Sequence, residues 1–256
     1  MTGSWPAVAT RGLHKRFGDT VAVGSLDLDV PTGSFFGLVG PNGSGKTTTL
    51  RMIGGLLRPD AGQVWVAGHD TWVDTLTVRR LLGTVPDPLN LFDRLTAREL
   101  LLHVGELRGL ARDEAARRAE ELFGVMELTD DADHRIGGFS HGMRKKTAIA
   151  AALLHRPAVL LLDEPFEGVD PVSAVAVRTM LDRYRNAGGT VVFSSHAMDL
   201  VDRMCDHVAV MARGGLLAAG PIETLRGGQR LEDAFISLVG ATPLDPSRLA
   251  WLDAQQ

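Results

Sequence analysis

The residues with the clearest capacity for chemistry form a glycine-rich segment early in the chain. The pattern is Gly, four further residues and then Gly-Lys-Thr, between an apolar run and a stretch with helical character. In such a loop, successive backbone N–H groups converge on phosphate oxygens at the positive end of the following helix. We therefore predict that the phosphates of ATP are bound here by Gly40, Pro41, Asn42, Gly43, Ser44, Gly45, Lys46, Thr47 and Thr48.

Two side chains of this phosphate loop (Gly40–Thr47) have predicted roles of their own. Lys46 is expected to reach the outer phosphates as a point charge, and the Thr47 hydroxyl is expected to ligate Mg²⁺. The alternative is a glycine-rich turn that contains a lysine by chance. The full match of the pattern, together with the strand before it and the helix after it, favours nucleotide binding.

A second segment places two carboxylates directly after an apolar run. Val159–Leu162 predicts a buried strand, and Asp163 and Glu164 follow at its end. Asp163 is predicted to hold Mg²⁺, directly or through water, and Glu164 to polarise the attacking water. An Asp-Glu pair after a strand is by itself a common start of a loop. In combination with the phosphate loop it indicates a site that hydrolyses ATP.

The elements that position these residues begin with short strands. Alternating runs predict strands at Ala7–Ala9, Val21–Val23 and Leu26–Val30, separated by Gly and Asp turns. Phe35–Gly40 predicts a buried strand that leads into the phosphate loop. We expect a helix from Lys46 to about Leu57, which ends before the proline that follows.

The second half of the chain predicts a helical lobe and a parallel sheet. The charge-rich pattern from Thr96 to Leu128 is helical, so the region 87–135 is expected to be a helical lobe inserted into an α/β core. A further helix is predicted to start at Ser140. Val159–Leu162 and Thr190–Ser194 are buried strands on either side of a helix, an order that implies a parallel sheet.

Composition excludes several classes of protein. The chain has 256 residues, 45% hydrophobic and 23% charged, as in an ordinary soluble globular protein, and its net charge of −4 gives no overall basic field for nucleic acid. The single cysteine, Cys205, excludes an internal disulfide framework and is expected to be a small core residue. No run approaches the ~18 apolar residues of a membrane span, and we expect no signal peptide, so any membrane role requires a partner protein.

These segments and five others occur in the order found in one family. From about residue 7 to 225, the chain resembles the nucleotide-binding subunit of ATP-binding cassette (ABC) transporters. The resemblance implies an α/β fold: a P-loop NTPase core with a parallel sheet, an N-terminal antiparallel β subdomain and an inserted α-helical subdomain at about 87–150. We expect an ATPase domain at 1–225 and a short C-terminal helical tail at 226–256, where Leu231–Val239 predicts an amphipathic helix and the end is expected to be mobile.

The resemblance assigns roles to further residues at the two faces of the nucleotide. Phe17 corresponds to the aromatic residue that stacks on adenine; the alternative is a core phenylalanine at a strand end. His196, at the end of an apolar run, corresponds to the switch histidine that contacts the γ-phosphate and helps to orient the water. Asp170 corresponds to the loop through which two subunits communicate, with helix capping before Pro171 as the alternative.

A signature segment is similar to the Leu-Ser-Gly-Gly-Gln of the family, and it consists of Ser140, His141, Gly142 and Met143. Ser140 is a good helix N-cap, and the free N–H groups behind it attract an anion. In the family, this helix faces the γ-phosphate of the ATP held by the other subunit. His and Met depart from the usual pattern. We interpret the basic residues that follow, 144–146, as a solvated face of the helix, the alternative being a positive field near the nucleotide.

Asp87 is the sharpest departure from the family, which commonly has glutamine at this position as a magnesium ligand. Aspartate can ligate Mg²⁺, but its side chain is one methylene shorter and is charged. Pro88 also biases Asp87 toward an extended backbone. Two alternatives stay open: Asp87 takes the role in the Mg²⁺ site through a bridging water, or the loop couples only mechanically to the membrane partner.

The resemblance implies an ATPase subunit that drives transport, and two other classes of protein are alternatives to it. Two copies would close head to tail around two ATP molecules and pass motion to a separate transmembrane permease, with the chain in the cytoplasm on the inner face of the membrane. The His-Gly-Met signature and the 231–235 segment resemble subunits of exporters. The alternatives are a soluble regulatory module and a ribosome- or DNA-associated cassette. One phosphate loop, one signature and no heptad insertion argue against the second.

Overall fold

A computed structural model describes residues 5–239. The strands are β1 (Val8–Phe17), β2 (Thr20–Val30), β3 (Phe35–Val39), β4 (Ala61–Val66), β5 (His69–Asp70), β6 (Leu82–Val85), β7 (Val159–Asp163), β8 (Thr190–Ser195), β9 (His207–Ala212) and β10 (Gly215–Pro221). The helices are α1 (Lys46–Ile53), α2 (Thr75–Leu81), α3 (Ala97–Leu107), α4 (Arg112–Val125), α5 (His141–Leu153), α6 (Pro171–Asn186), α7 (Met198–Met204), α8 (Ile222–Arg226) and α9 (Leu231–Val239). No helix within 5–239 is both long enough and apolar enough to cross a bilayer.

The first sheet is antiparallel, with strand order β2-β1-β4-β5. The three short strands predicted near the N-terminus are two long ones, because residues interpreted as turns lie within the strands. The pairing of β1 with β2 shifts register between Thr10 and Leu13, where Gly12 has φ +57°. Ser25 of β2 has φ 56°. Bulges of this kind absorb a residue without ending the strand.

The second sheet has the order β10-β9-β3-β8-β7-β6, and every neighbouring pair is parallel except β10 with β9. Strands β3 and β7 are buried along their whole length, as their uninterrupted apolar runs predict. In a parallel sheet, the carboxyl ends of the strands lie at the same edge. Four predicted parts of the site therefore lie at this one edge: the phosphate loop after β3, Asp87 after β6, Glu164 after β7 and His196 after β8.

Two hydrophobic cores lie on opposite faces of this parallel sheet. Phe35 packs into the core shared with the helical lobe, and its neighbour Phe36 packs into the core shared with the antiparallel sheet. Successive side chains of a strand point to opposite faces, which explains the division. Cys205 is buried in the first core, as predicted, and burial raises the pKa of its thiol. Leu231 of α9 belongs to the same core.

The helices differ from the predictions mainly at their ends. Helix α1 ends at Ile53 rather than near Leu57, because two glycines follow and Gly55 has φ +67°. The helical stretch predicted from Thr96 to Leu128 is two helices, α3 and α4, separated at Gly109 with φ +83°. Helix α9 has the predicted bounds, whereas the tail expected to be mobile lies outside the described residues.

Candidate functional site

A cleft of about 530 Å³ opens at the carboxyl edge of the parallel sheet. It gathers side chains from four loops that are far apart in the sequence and from the end of β1. The lining residues are Phe17, Thr20, Ala22, Asn42, Gly43, Ser44, Gly45, Lys46, Thr47, Thr48, Asp87, Glu164, Glu167 and His196. Most of the residues predicted to bind or hydrolyse ATP are therefore in one place.

The phosphate loop is packed so tightly that two of its glycines cannot be replaced without movement. A Cβ atom on Gly40 would overlap the carbonyl oxygen of Met211, and one on Gly45 would overlap that of Ala22. Gly45, with φ +104°, also precedes the first residue of α1. The close approach of β2 and β9 thus shapes the loop, and the N-terminus of α1 points into the cleft.

Lys46 holds its charge at the floor of the cleft. Its ammonium group donates hydrogen bonds to the carbonyl oxygens of Gly40 at 2.7 Å and Pro41 at 3.2 Å. Burial lowers the pKa of Lys46, and the nearby carboxylates of Glu164 and Asp163 act in the opposite direction. The loop therefore carries its own cation, held in place by the same residues that surround the phosphate position.

Asp163 is arranged as a ligand with one oxygen to spare. Its Oδ1 accepts hydrogen bonds from the Thr47 hydroxyl at 3.0 Å and from the Ser194 hydroxyl at 2.6 Å. Its Oδ2 is buried and has no hydrogen-bond partner among the described residues. A buried carboxylate oxygen next to a threonine hydroxyl suits a hard cation such as Mg²⁺. Within residues 5–239, no group of three or more His, Cys, Asp or Glu side chains is arranged so that it could hold a metal ion by itself.

Glu164 and His196 lie next to each other in the lining of the cleft. The Oε1 of Glu164 is 3.1 Å from Nδ1 of His196, and their side chains are 14% and 51% exposed. Glu164 has φ 44°, unusual for a residue other than glycine, and its N–H donates to the Ser194 hydroxyl at 2.9 Å. The carboxylate is thus held at a place where it can accept a proton from a water molecule in the cleft.

Ser194 is a site residue that the sequence analysis missed. Its hydroxyl donates to Asp163 and accepts from the backbone of Glu164, so one buried side chain orients both carboxyl residues. It lies in β8, which is buried along its length. A hydroxyl at the end of an otherwise apolar strand, two residues before His196, was the available signal.

Phe17 is exposed, so the alternative interpretation as a core residue is wrong. Its side chain is 51% exposed at the end of β1, on the rim of the cleft. The ammonium of Lys15 lies 5.5 Å from the ring centroid, within range of a cation–π contact. One face of an aromatic ring at this position is available to a planar base.

The signature segment and Asp170 cap helices, and neither lines the cleft. The Ser140 hydroxyl accepts from Met143 N at 3.2 Å, so Ser140 is the N-cap of α5. Asp170 accepts from the backbone of Val172 and Ser173 as the N-cap of α6, and hydrogen bonds from Ser173 hold the pKa of Asp170 below its usual range. The helix capping considered for Asp170 is therefore present.

The interpretation of residues 144–146 as a solvated basic face is wrong for two of the three. Lys145 is completely buried and Lys146 is 5% exposed, because α5 packs between α3 and β6. The ammonium of Lys145 lies 3.4 Å from Oδ1 of Asp87. The carbonyl of Asp87 accepts a hydrogen bond of 2.8 Å from Arg51 in α1.

Comparison with known proteins agrees with this geometry. Residues 23–167 match the family model for the ABC transporter. The ABC transporter ATP-binding protein NatA of Bacillus subtilis is 39% identical over 213 residues, which are 83% of this chain and 87% of that protein. The daunorubicin/doxorubicin resistance ATP-binding protein of Streptomyces peucetius is 39% identical over 220 residues, 86% of this chain and 67% of that protein. The linearmycin resistance ATP-binding protein of Bacillus subtilis is 36% identical over 208 residues, which are 81% of this chain and 67% of that protein.

Two solved structures have the same fold. An ATP-binding subunit of an ABC transporter superposes with a TM-score of 0.86 at 26% identity, over 91% of this chain and 99% of that one. A dimeric ATP-binding cassette in a post-hydrolysis state, bound to ADP and phosphate, superposes with a TM-score of 0.77 at 28% identity, over 84% and 98%. The fold class and the ATPase activity expected from the resemblance are thereby confirmed. The chain belongs to the ABC transporter family, as one of its ATP-binding and ATP-hydrolysing subunits.

Proposed function

We propose that this subunit pairs head to tail with a second copy of itself and drives export through a separate transmembrane permease. One observation carries the pairing: the signature segment lies outside the cleft that holds the phosphate loop of its own chain. Its capped helix α5 presents free N–H groups and has no phosphate to meet within the copy. A second copy supplies the missing half of each site. The dimeric relative bound to ADP and phosphate supports this arrangement.

The contacts in the cleft support a separate role in ATP hydrolysis for each of its residues. Thr47 and the free oxygen of Asp163 would hold Mg²⁺, and Lys46 would meet the outer phosphates. Mg²⁺ held there would supply positive charge beside the transferred phosphoryl group. Glu164 accepts the proton of the attacking water, and His196 positions that water and the γ-phosphate. Phe17 stacks on adenine at the rim.

Export and membrane attachment are supported by the relatives and by the sequence. Two of the three named relatives are resistance ATP-binding proteins, one for linearmycin and one for daunorubicin/doxorubicin, which favours removal of a compound from the cell. The ATPase domain at 1–225, with its helical subdomain at about 87–150, works in the cytoplasm at the inner face of the membrane, and the tail at 226–256 follows it. No feature of the relatives favours a regulatory, ribosome- or DNA-associated role.

A mixing experiment tests whether each site is built from two copies. Lys46→Ala removes the cation of the phosphate loop. Gly142→Asp places a negative charge toward the partner's phosphate. The added Cβ meets only ordinary contacts, the nearest being Asp170 Oδ2 and Gly168 O at 3.9 Å, and the positive end of α5 offsets the negative charge added beside Asp170. Each variant alone is expected to lose about a hundredfold in ATPase rate.

Mixing the two inactive variants is expected to restore about a quarter of the wild-type rate. Random pairing makes half of the dimers mixed, and each mixed dimer contains one intact site out of two. The mixture of Lys46→Ala with wild type serves as the pairing control. A mixture that stays inactive while that control exchanges subunits would show that the sites are not shared between copies. Cross-linking in membranes followed by mass spectrometry identifies the permease that binds this subunit. If that permease is of the importer type, the proposal of export is wrong.

A further inference from the structure

Lys145 is a buried cation that needs a counter-ion. It lies on the inner side of α5, and its side chain is completely inaccessible to solvent. An ammonium group in such a place is strongly unfavourable unless it is paired. Within residues 5–239, the hydrogen-bond partner of this ammonium is the carboxylate of Asp87, at 3.4 Å. A neutral side chain at position 87 could not balance the charge.

Asp87 is held from two sides by two different helices. Its carbonyl oxygen accepts from Arg51 of α1, and its carboxylate pairs with Lys145 of α5. Helix α1 begins at the phosphate loop, whereas α5 begins at the signature segment. The loop after β6 therefore joins the helix that binds phosphate in its own copy to the helix that meets the partner's phosphate. Asp87 also lines the cleft, with 37% of its side chain exposed.

We propose that Asp87 is a positioning residue that acts as the counter-ion of Lys145 and holds the signature helix in place relative to the nucleotide cleft. This inference rests on the proposed function, in which α5 completes the site of the partner copy. It decides between the two alternatives left open by the sequence. One oxygen of Asp87 is engaged by Lys145, whereas Thr47 and Asp163, the two residues proposed to hold Mg²⁺, are hydrogen-bonded to each other.

Four variants of the full chain test the pair. Asp87→Asn removes the charge without changing shape, and Asp87→Glu keeps the charge. Lys145→Met replaces the buried cation with an apolar side chain of similar length, and the double variant Asp87→Asn/Lys145→Met leaves no unpaired charge. Asp93→Asn is the matched control, because Asp93 forms a more exposed ion pair with the neighbouring Arg144 of the same helix. Melting temperature, kcat, KM for ATP and the half-saturating Mg²⁺ concentration are measured for each.

The variants that lack the Asp87–Lys145 ion pair are expected to behave alike in catalysis. Asp87→Asn, Lys145→Met and the double variant should each lose about tenfold in kcat without adding up, and Mg²⁺ half-saturation should stay within about twofold. Asp87→Asn should lower the melting temperature by roughly 5 °C, and adding Lys145→Met should recover it, because the unpaired cation is gone. Asp87→Glu and Asp93→Asn should retain at least half of the wild-type rate.

Other results would overturn the proposal. A higher Mg²⁺ requirement in Asp87→Asn, with normal behaviour of Lys145→Met, would make Asp87 a magnesium ligand. Additive losses in the double variant would make the two residues independent. If Asp87→Asn does not fold, the comparison of Lys145→Met with the double variant is the test. Equal kcat values support the ion pair, and a lower kcat in the double variant overturns it. Failure of the mixing experiment with intact recovery of the melting temperature would contradict the proposed dimer and leave the ion pair standing.

Discussion

Ser194 offers the most direct test of how the cleft is organised. Replacement by alanine removes a 2.6 Å hydrogen bond to the Asp163 carboxylate and a 2.9 Å hydrogen bond from the Glu164 backbone. A bond to a charged group contributes about 1.5–3 kcal/mol, and an unsatisfied buried N–H costs about 1–3 kcal/mol. Since Glu164 is only partly buried, we expect Ser194→Ala to lower the free energy of unfolding by about 3 kcal/mol in total.

The expected shift in melting temperature is roughly 9 °C, at about 3 °C per kcal/mol for a chain of this size. Activity should fall about tenfold or more, because Asp163 and Glu164 are no longer held in their positions. Small displacements of catalytic groups lower the rate strongly. The half-saturating Mg²⁺ concentration should rise, since Asp163 loses one of the two donors that orient it. Thermal denaturation and steady-state ATPase assays with a Mg²⁺ titration measure these effects.

The neighbouring Ser195 provides the control. It is also buried at the end of β8, but within the described part of the chain its hydroxyl accepts only from the backbone of Ala197 at 3.0 Å. Ser195→Ala is expected to cost about 1 kcal/mol and to leave the Mg²⁺ dependence unchanged. If Ser194→Ala matched Ser195→Ala in both stability and Mg²⁺ requirement, the argument that Ser194 orients the two carboxylates would be refuted.

Two further predictions concern the rim and the core. Phe17→Ala should raise KM for ATP about tenfold with little change in kcat, because base stacking contributes about 1–3 kcal/mol, whereas Phe17→Tyr should keep the affinity; an equal loss in both variants would contradict stacking. Burial and the nearby Arg108 and Arg118 lower the pKa of His155 to about 4 from 6.5. The unfolded chain therefore binds this proton first, so stability is complete above about pH 6.5 and falls as the pH drops toward about 4. After allowance for partial exposure, His155→Gln should remove about 1–2 kcal/mol of the loss between pH 7 and pH 5, as measured by urea unfolding at both values; parallel curves for both proteins would contradict it.

The sequence predicted which residues meet at the cleft better than it predicted the lengths of the elements around it. The phosphate loop, Asp163, Glu164 and His196 each follow an apolar run, and parallel strands bring such positions to one edge. The N-terminal strands and helix α1 were predicted with wrong bounds. Bulges at Gly12 and Ser25 continue strands through residues that usually mark turns, and propensity cannot distinguish the two cases.

Position 87 and the basic stretch after the signature segment show the limit of local pattern. Three consecutive basic residues on a helix usually indicate a solvated face. Lys145 is buried because α5 runs between the lobe and β6, and that packing depends on residues far along the chain. Its partner, Asp87, is separated from it by 58 positions. Neither residue by itself indicates the ion pair.

By itself, the sequence determined which residues can bind phosphate, ligate a cation and accept a proton, because those abilities belong to side chains and to short motifs. It also determined the order of strands and helices that brings them to one edge. Only the tertiary structure decided that Ser194 joins Asp163 to Glu164 and that Asp87 neutralises Lys145. Hydrogen bonds and charge pairs depend on distances of a few ångströms between segments, and those distances are set by packing of the whole chain.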